Sequence, residues 1–143
     1  MNPSLYIKSV KGKGRGVFSK VPISKDAMIE ECPLIVLPSE DYAIVSSTRM
    51  VDYCFFFNKE KEELAIVLGF GSIYNHAVLS NACHQVDREK KIMTFYASTA
   101  IKAGEEICIN YTGDPGDDSM QWFTDRNIKF INPLTATDKL TPI

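Results

Sequence analysis

Three short stretches carry residue types that could do chemistry. Residues 12–16 read GKGRG, residues 71–76 read GSIYNH with Asn81 soon after, and residues 104–111 read GEEICINY. Alternating glycines let main-chain N–H groups approach a ligand, so the first stretch could hold a carboxylate or phosphate. It lacks the G-K-[ST] ending of a P-loop and no βαβ unit follows, so read alone it describes a flexible hairpin better than a site. In the second, Asn75 and His76 end the apolar run LAIVLGF, where a histidine is more often a hydrogen-bonded core residue than a catalyst. In the third, Tyr111 closes an alternating strand, the usual place for a structural tyrosine whose hydroxyl finds one partner.

Metal chemistry is not expected. The chain has only His76 and His84, with no acid cluster beside them, and its four cysteines (Cys32, Cys54, Cys83, Cys108) form no C-x-x-C pair. Each cysteine lies in an apolar or strand-like context, which suits reduced thiols packed as small hydrophobes in a reducing compartment.

The elements that must position these stretches are mostly β. Strand-like runs fall at 5–10, 16–19, 28–37, 64–70, 82–86, 92–97 and 105–111, divided by Gly12, Gly14, Pro22, Pro38, Gly104 and Gly113. One helix is expected near 40–52, with Ser39 as its N-cap, and a short helical turn near 119–124. Residues 18–29 can be laid over 96–107 at an offset of 78, each reading as strand, turn, strand, as two hairpins with the same turn chemistry would.

At 143 residues and 45% hydrophobic content the chain is expected to form one domain with a real core. Sixteen basic against 18 acidic side chains leave a net charge of −2, which disfavours direct nucleic-acid binding. The first twenty residues hold no uninterrupted apolar segment and no membrane span is expected, so the mature protein should be soluble and begin near Met1. Residues 103–125 carry Glu105, Glu106, Asp114, Asp117, Asp118 and Asp125 without a lysine or arginine, an acidic rim that could attract a basic peptide.

Taken together, in this order and at these distances, the three stretches resemble the SET-domain family of protein-lysine methyltransferases. GKGRGVF is similar to its N-terminal glycine motif, GSIYNH with Asn81 to its asparagine-histidine motif, and GEEI with Tyr111 to its C-terminal motif. The resemblance covers about residues 4–123 and implies a single domain over 1–143, with 124–143 as a C-terminal tail. The fold it implies is a SET fold of several small curved β-sheets, with a C-terminal pseudoknot that lays the asparagine-histidine stretch beside the strand carrying Tyr111.

The resemblance also implies S-adenosylmethionine as cofactor. Lys13, Gly14 and Arg15 would contact its methionine end, Asn75 and His76 its adenosine end, and Trp122 or Phe123 would cover the adenine. Tyr111 would be catalytic and would touch the methyl group, at the end of a lysine channel lined by Tyr53, His84 and Ile109. Departures from the family pattern are Ala77 where serine is usual, Ser80 where proline is common before Asn81, and Ala82 where many nuclear members place a zinc-binding cysteine. The form is that of small stand-alone members without flanking zinc modules, as in viral and bacterial relatives.

The expected activity is methylation of a lysine side chain in a basic protein or peptide, histone tail or otherwise. The alternatives are a non-catalytic SET-like module that binds a peptide or protein, and a small β-rich nucleotide or phosphate binder using GKGRG. The expected location is cytoplasmic for a bacterial source and nuclear or chromatin-associated for a viral, eukaryotic or host-secreted one. A homodimer is open, since no heptad or interface motif decides it.

Overall fold

The computed structural model describes residues 2–12 and 14–112. Among these described residues nine strands follow one another as β1 Leu5–Val10, β2 Gly14–Ser19, β3 Met28–Leu37, β4 Cys54–Asn58, β5 Glu63–Val67, β6 Asn75–His76, β7 Ala82–Asp87, β8 Ile92–Ala97 and β9 Glu106–Ile109. They form a sheet of order β1-β2-β9-β6 and a second of order β4-β5-β3-β8-β7. The mostly β class and the family's small sheets are borne out.

The ten-residue strand β3 serves two neighbours in turn. Its first part pairs with β8 from Met28↔Tyr96 to Pro33↔Ile92, and its second part with β5 from Leu34↔Val67 to Leu37↔Leu64. A register shift between Met28 and Glu30 leaves Ile29 and Glu30 both buried, where strict alternation would expose one of them. Glu30, Cys32 and Leu34 then share the inward face at spacing two.

The core is assembled from alternate residues of these strands: Val17, Ile29, Cys32, Val67, Met93, Phe95, Ala97, Ile107 and Ile109 among them. Strand β9 is buried at all four positions, so its EICI sequence reads as an interior strand and not as a two-faced one.

The helical segment differs from expectation. An α-helix, α1, spans only Tyr42–Ser46, between 3-10 turns at Ser39–Asp41 and Arg49–Tyr53. The Ser46, Ser47 and Thr48 hydroxyls each donate back to a carbonyl three residues earlier, offering the chain an alternative to helical continuation. Thr48 Oγ1 then accepts from the Met50 N–H and starts the next turn. Ser39 makes no capping bond; Pro38 holds the cap position of the first turn. The expected turn at 119–124 and the tail lie outside the described residues.

The internal echo has a geometric meaning, but the two copies are not hairpins. Ile23 pairs with Ile101, its own equivalent at the offset of 78, and each donates to the other's carbonyl at 2.8 Å. Around that pair, Met28↔Tyr96 and Phe18↔Glu106 are equivalent, as are the bonds Asp26 N–H to Ala97 C=O and Gly104 N–H to Ser19 C=O, both 2.8 Å. The two segments therefore exchange strands about a local twofold axis, which ties one sheet to the other.

The axis relates Asp26 (φ 68°) to Gly104 (φ 79°), both left-handed. Gly104→Ala should lower stability by about 1 kcal/mol through backbone strain alone, since open space surrounds its Cα. Asp26→Gly should change stability by less than about 0.5 kcal/mol, because strain relief and added chain entropy oppose each other. Urea denaturation of both variants checks the pair.

Candidate active site

Strand β9 brings the three motifs together. Along one edge it pairs antiparallel with β2, Val17↔Ile107 and Phe18↔Glu106; along the other it pairs parallel with β6, Asn75↔Cys108 and His76↔Ile109. The expectation that the asparagine-histidine stretch lies beside the strand leading to Tyr111 is met by this pairing. Whether later chain threads a loop falls outside the described residues.

A two-residue parallel pairing is weak alone, and side-chain amides reinforce it. Asn75 Nδ2 donates to the Arg15 carbonyl at 2.7 Å and to Glu106 Oε1 at 3.0 Å. Both neighbours are acceptors at these contacts, which identifies the amide nitrogen and leaves Oδ1 as the amide's remaining polar atom. Asn81 grips the β9 backbone with both ends of its amide: Nδ2 donates to the Glu106 carbonyl at 2.9 Å and Oδ1 accepts from the Cys108 N–H at 2.8 Å. Ala77 keeps the pairing going, its N–H donating to the Ile109 carbonyl at 2.9 Å, so the absent serine hydroxyl does not interrupt the ladder.

Glycine at 16 is a packing requirement. A Cβ there would overlap Glu106 Oε1, so only glycine lets the carboxylate lie across β2 to reach Asn75. Glu106 is buried, which removes it from the expected acidic rim; Glu105 is exposed and accepts the Lys102 N–H at 2.9 Å. The rim's four aspartates lie outside the described residues.

Tyr111 is fixed at three points. Its N–H donates to His76 Nδ1 at 3.0 Å, its hydroxyl donates to the Tyr74 carbonyl at 2.9 Å, and its ring packs on Phe55 at 6.2 Å and on His76 at 5.1 Å. Because His76 Nδ1 accepts, a neutral His76 carries its proton on Nε2. Burial, then the nearby Cys108, Tyr53, Glu106 and Asp52, hold the Tyr111 phenol above its ordinary value, so it stays an O–H at neutral pH.

Phe55 links Tyr111 to His84, with ring centroids 5.6 Å apart in an edge-on arrangement, and His84 packs further on Phe95 at 6.0 Å. Burial pushes the His84 pKa down, and its Nδ1 has no hydrogen-bond partner among the described residues. Of the expected channel residues, His84 joins this aromatic group and Tyr53 is near enough to perturb the Tyr111 phenol. Ile109 is fully enclosed in the core, paired with His76.

Gly14 and Arg15 are exposed on β2 beside the Asn75 amide, whereas Lys13 and Trp122 fall outside the described residues, as does Phe123. Among the described residues no His, Cys, Asp or Glu group could hold a metal ion, and no helix is long and apolar enough to cross a membrane. Phe55 packs on Tyr111 and Glu106 accepts from Asn75, although motif reading left both without roles. The run CFFFN signals the first as a strand, and an acid after a turn glycine gives little local sign of the second.

Residues 14–112 match the family model described as the SET domain, and the chain belongs to that family. It is 34% identical over 122 residues to a Schizosaccharomyces pombe histone-lysine N-methyltransferase, H3 lysine-37 specific, a match spanning 85% of this chain and 78% of that protein. It superposes with a TM-score of 0.63 on a Plasmodium falciparum protein provisionally described as a histone methyltransferase, at 28% identity over 85% of this chain and 99% of that one. A chain from a humanized mutant of the Chaetomium thermophilum Polycomb Repressive Complex 2 bound to an inhibitor shares the fold at TM-score 0.63 and 20% identity, over 80% of this chain and 15% of that chain. The three relatives come from eukaryotes.

Two outcomes follow from the site's geometry. Gly16→Ala should displace the Glu106 carboxylate from Asn75 and lower stability by about 2 kcal/mol, read by chemical denaturation. For His84, the unfolded chain binds the proton more readily than the folded one, so stability is present above the ordinary pKa near ~6.5 and falls as pH drops below it. Denaturation midpoints from pH 7.5 to 5 should fall less steeply in His84→Gln than in the native chain.

Proposed function

We propose that the chain is an S-adenosylmethionine-dependent protein-lysine N-methyltransferase acting on a basic protein, with a histone as the substrate class its relatives favour. The observation that carries this reading is the convergence of a neutral, doubly anchored Tyr111, the Asn75 amide and the exposed Gly14–Arg15 backbone around one end of β9. A single domain with its core over 4–123 and a tail over 124–143 would contain the activity. Nuclear or chromatin association agrees with the eukaryotic relatives.

The residues fit the cofactor by donor and acceptor type. Asn75 has both amide hydrogens engaged within the protein, so its oxygen is the polar atom it has left for a ligand. That oxygen accepts, and suits the α-ammonium at the methionine end better than the adenosine end first expected for Asn75. The His76 ring is engaged with Tyr111, so any cofactor contact by His76 would come from its backbone. Lys13, Gly14 and Arg15 would add main-chain contacts to the methionine end, and Trp122 would cover the adenine.

When bound, S-adenosylmethionine supplies a methyl group on a positively charged sulfur. The chain must then present a lysine amine with its lone pair exposed, although lysine is protonated at neutral pH with a pKa near ~10.4. Phe55, Tyr53 and His84 would form the apolar approach to Tyr111, where desolvation favours the neutral amine. Burial keeps His84 itself uncharged near neutral pH, so it adds no cation that would repel the substrate. The proton leaves to solvent before transfer, and no side-chain base is needed.

Tyr111 would orient the amine through its phenol oxygen, while its own hydrogen points to the Tyr74 carbonyl. Alignment of nitrogen with methyl carbon then lowers the barrier by bringing the reacting atoms together. Tyr111→Phe should cut methyl transfer to core histones by about a hundredfold and leave S-adenosylmethionine affinity within about threefold. Unchanged transfer in that variant would remove Tyr111 from its catalytic place.

A further inference from the structure

The turn between β5 and β6 supplies the carbonyl that receives the Tyr111 hydroxyl, and that turn is anchored from beneath. Tyr74, 1% exposed, donates its own hydroxyl to Glu30 Oε1 at 2.7 Å while its carbonyl accepts from Tyr111 at 2.9 Å. Glu30 is 4% exposed and reaches inward because of the β3 register shift. Its second oxygen lies against Gly69, whose left-handed φ of 65° turns the chain, and burial together with the nearby Glu30 carboxyl pushes the Cys32 thiol pKa up. The Tyr74 ring is clamped against Phe95 at 4.6 Å.

A buried carboxylate is expensive unless several donors satisfy it. Nothing in β3 packing requires an acid here, since Ile29, Cys32 and Leu34 fill the adjoining inward positions with apolar atoms. What Glu30 adds is direction: its side-chain oxygen accepts from the Tyr74 hydroxyl, and through the tyrosine it fixes both the height and the tilt of the peptide that follows. We infer that Glu30 is a positioning residue for methyl transfer, acting through Tyr74 to hold the carbonyl that orients the Tyr111 hydroxyl. The inference rests on Tyr111 being the residue that meets the reacting groups.

No proton passes along this chain of contacts. The Tyr74 hydroxyl and the Tyr74 carbonyl are separated by the side chain and the Cα, so Glu30 acts on geometry alone. A purely structural carboxylate would affect stability without altering the Tyr111 environment, and that difference makes the two roles separable.

The test compares Tyr74→Phe, Glu30→Leu and the conservative Glu30→Gln in the full chain. Tritiated S-adenosylmethionine with core histones gives kcat and KM, and ¹³Cζ-labelled tyrosine gives the Tyr111 resonance, assigned by its loss in Tyr111→Phe. Tyr74→Phe and Glu30→Leu should each lower kcat by about tenfold or more with KM for S-adenosylmethionine within about twofold, and should shift the Tyr111 resonance. Glu30→Gln keeps an acceptor of the same shape and should restore both readouts. Should Glu30→Leu fail to fold, Tyr74→Phe carries the comparison, because it only removes the hydroxyl.

Folded Tyr74→Phe with unaltered kcat and an unmoved Tyr111 resonance overturns the inference. If the native chain transfers no methyl group, the proposed function fails instead, and the Tyr111 resonance in the variants still decides the positioning role.

Discussion

The arrangement depends on one buried amide. Asn75 joins β6 to the glycine-bearing strand through the Arg15 carbonyl and to β9 through Glu106, and the Asn75 amide and the Glu106 carboxyl are both buried. Removing a partner from such a group leaves a desolvated polar atom, which is dearer than the bond itself is worth. The need to satisfy Asn75 explains why residue 16 has no side chain, why an acid follows the turn at Gly104, and why a strand of two residues holds a parallel register. Chain segments separated by 60 and 31 positions are thereby set within one hydrogen-bond network.

Around that amide, the structure separates packing from orientation. Apolar residues of β2, β3, β8 and β9 provide the burial, with Val17, Phe95, Ile107 and Ile109 wholly enclosed. Orientation falls to polar groups at the margin: Asn81 splints β9, His76 holds the Tyr111 backbone, and the Tyr74 carbonyl aims its hydroxyl. His76, met first as a core histidine or cofactor anchor, has its ring engaged with the tyrosine 35 residues on.

Much of this was legible from residue types, and the remainder was not for identifiable reasons. Alternating or continuous apolar runs marked β1, β3, β7 and β8 within a residue, because their burial is local to each strand. Strand β4 followed the helical segment without a turn residue to announce it, and β6 is two residues whose pairing exists only in three dimensions. The serine and threonine hydroxyls that end α1 were readable, but helical spacing of apolar residues pointed to a longer helix that tertiary burial does not support. The three motifs announced Tyr111, Asn75 and His76; Glu30 and Phe55 belong to no motif, and their importance comes from what the fold sets beside them.

The central claim is that glycine strand, asparagine-histidine turn and Tyr111 form one ligand site. Titration with S-adenosylhomocysteine, followed by backbone amide resonances, tests it most directly. Resonances of Gly14 to Gly16, of Asn75 and His76, and of Tyr111 should move together along one saturation curve. Saturation that leaves any of the three groups unmoved, or that gives them separate dissociation constants, would contradict the account.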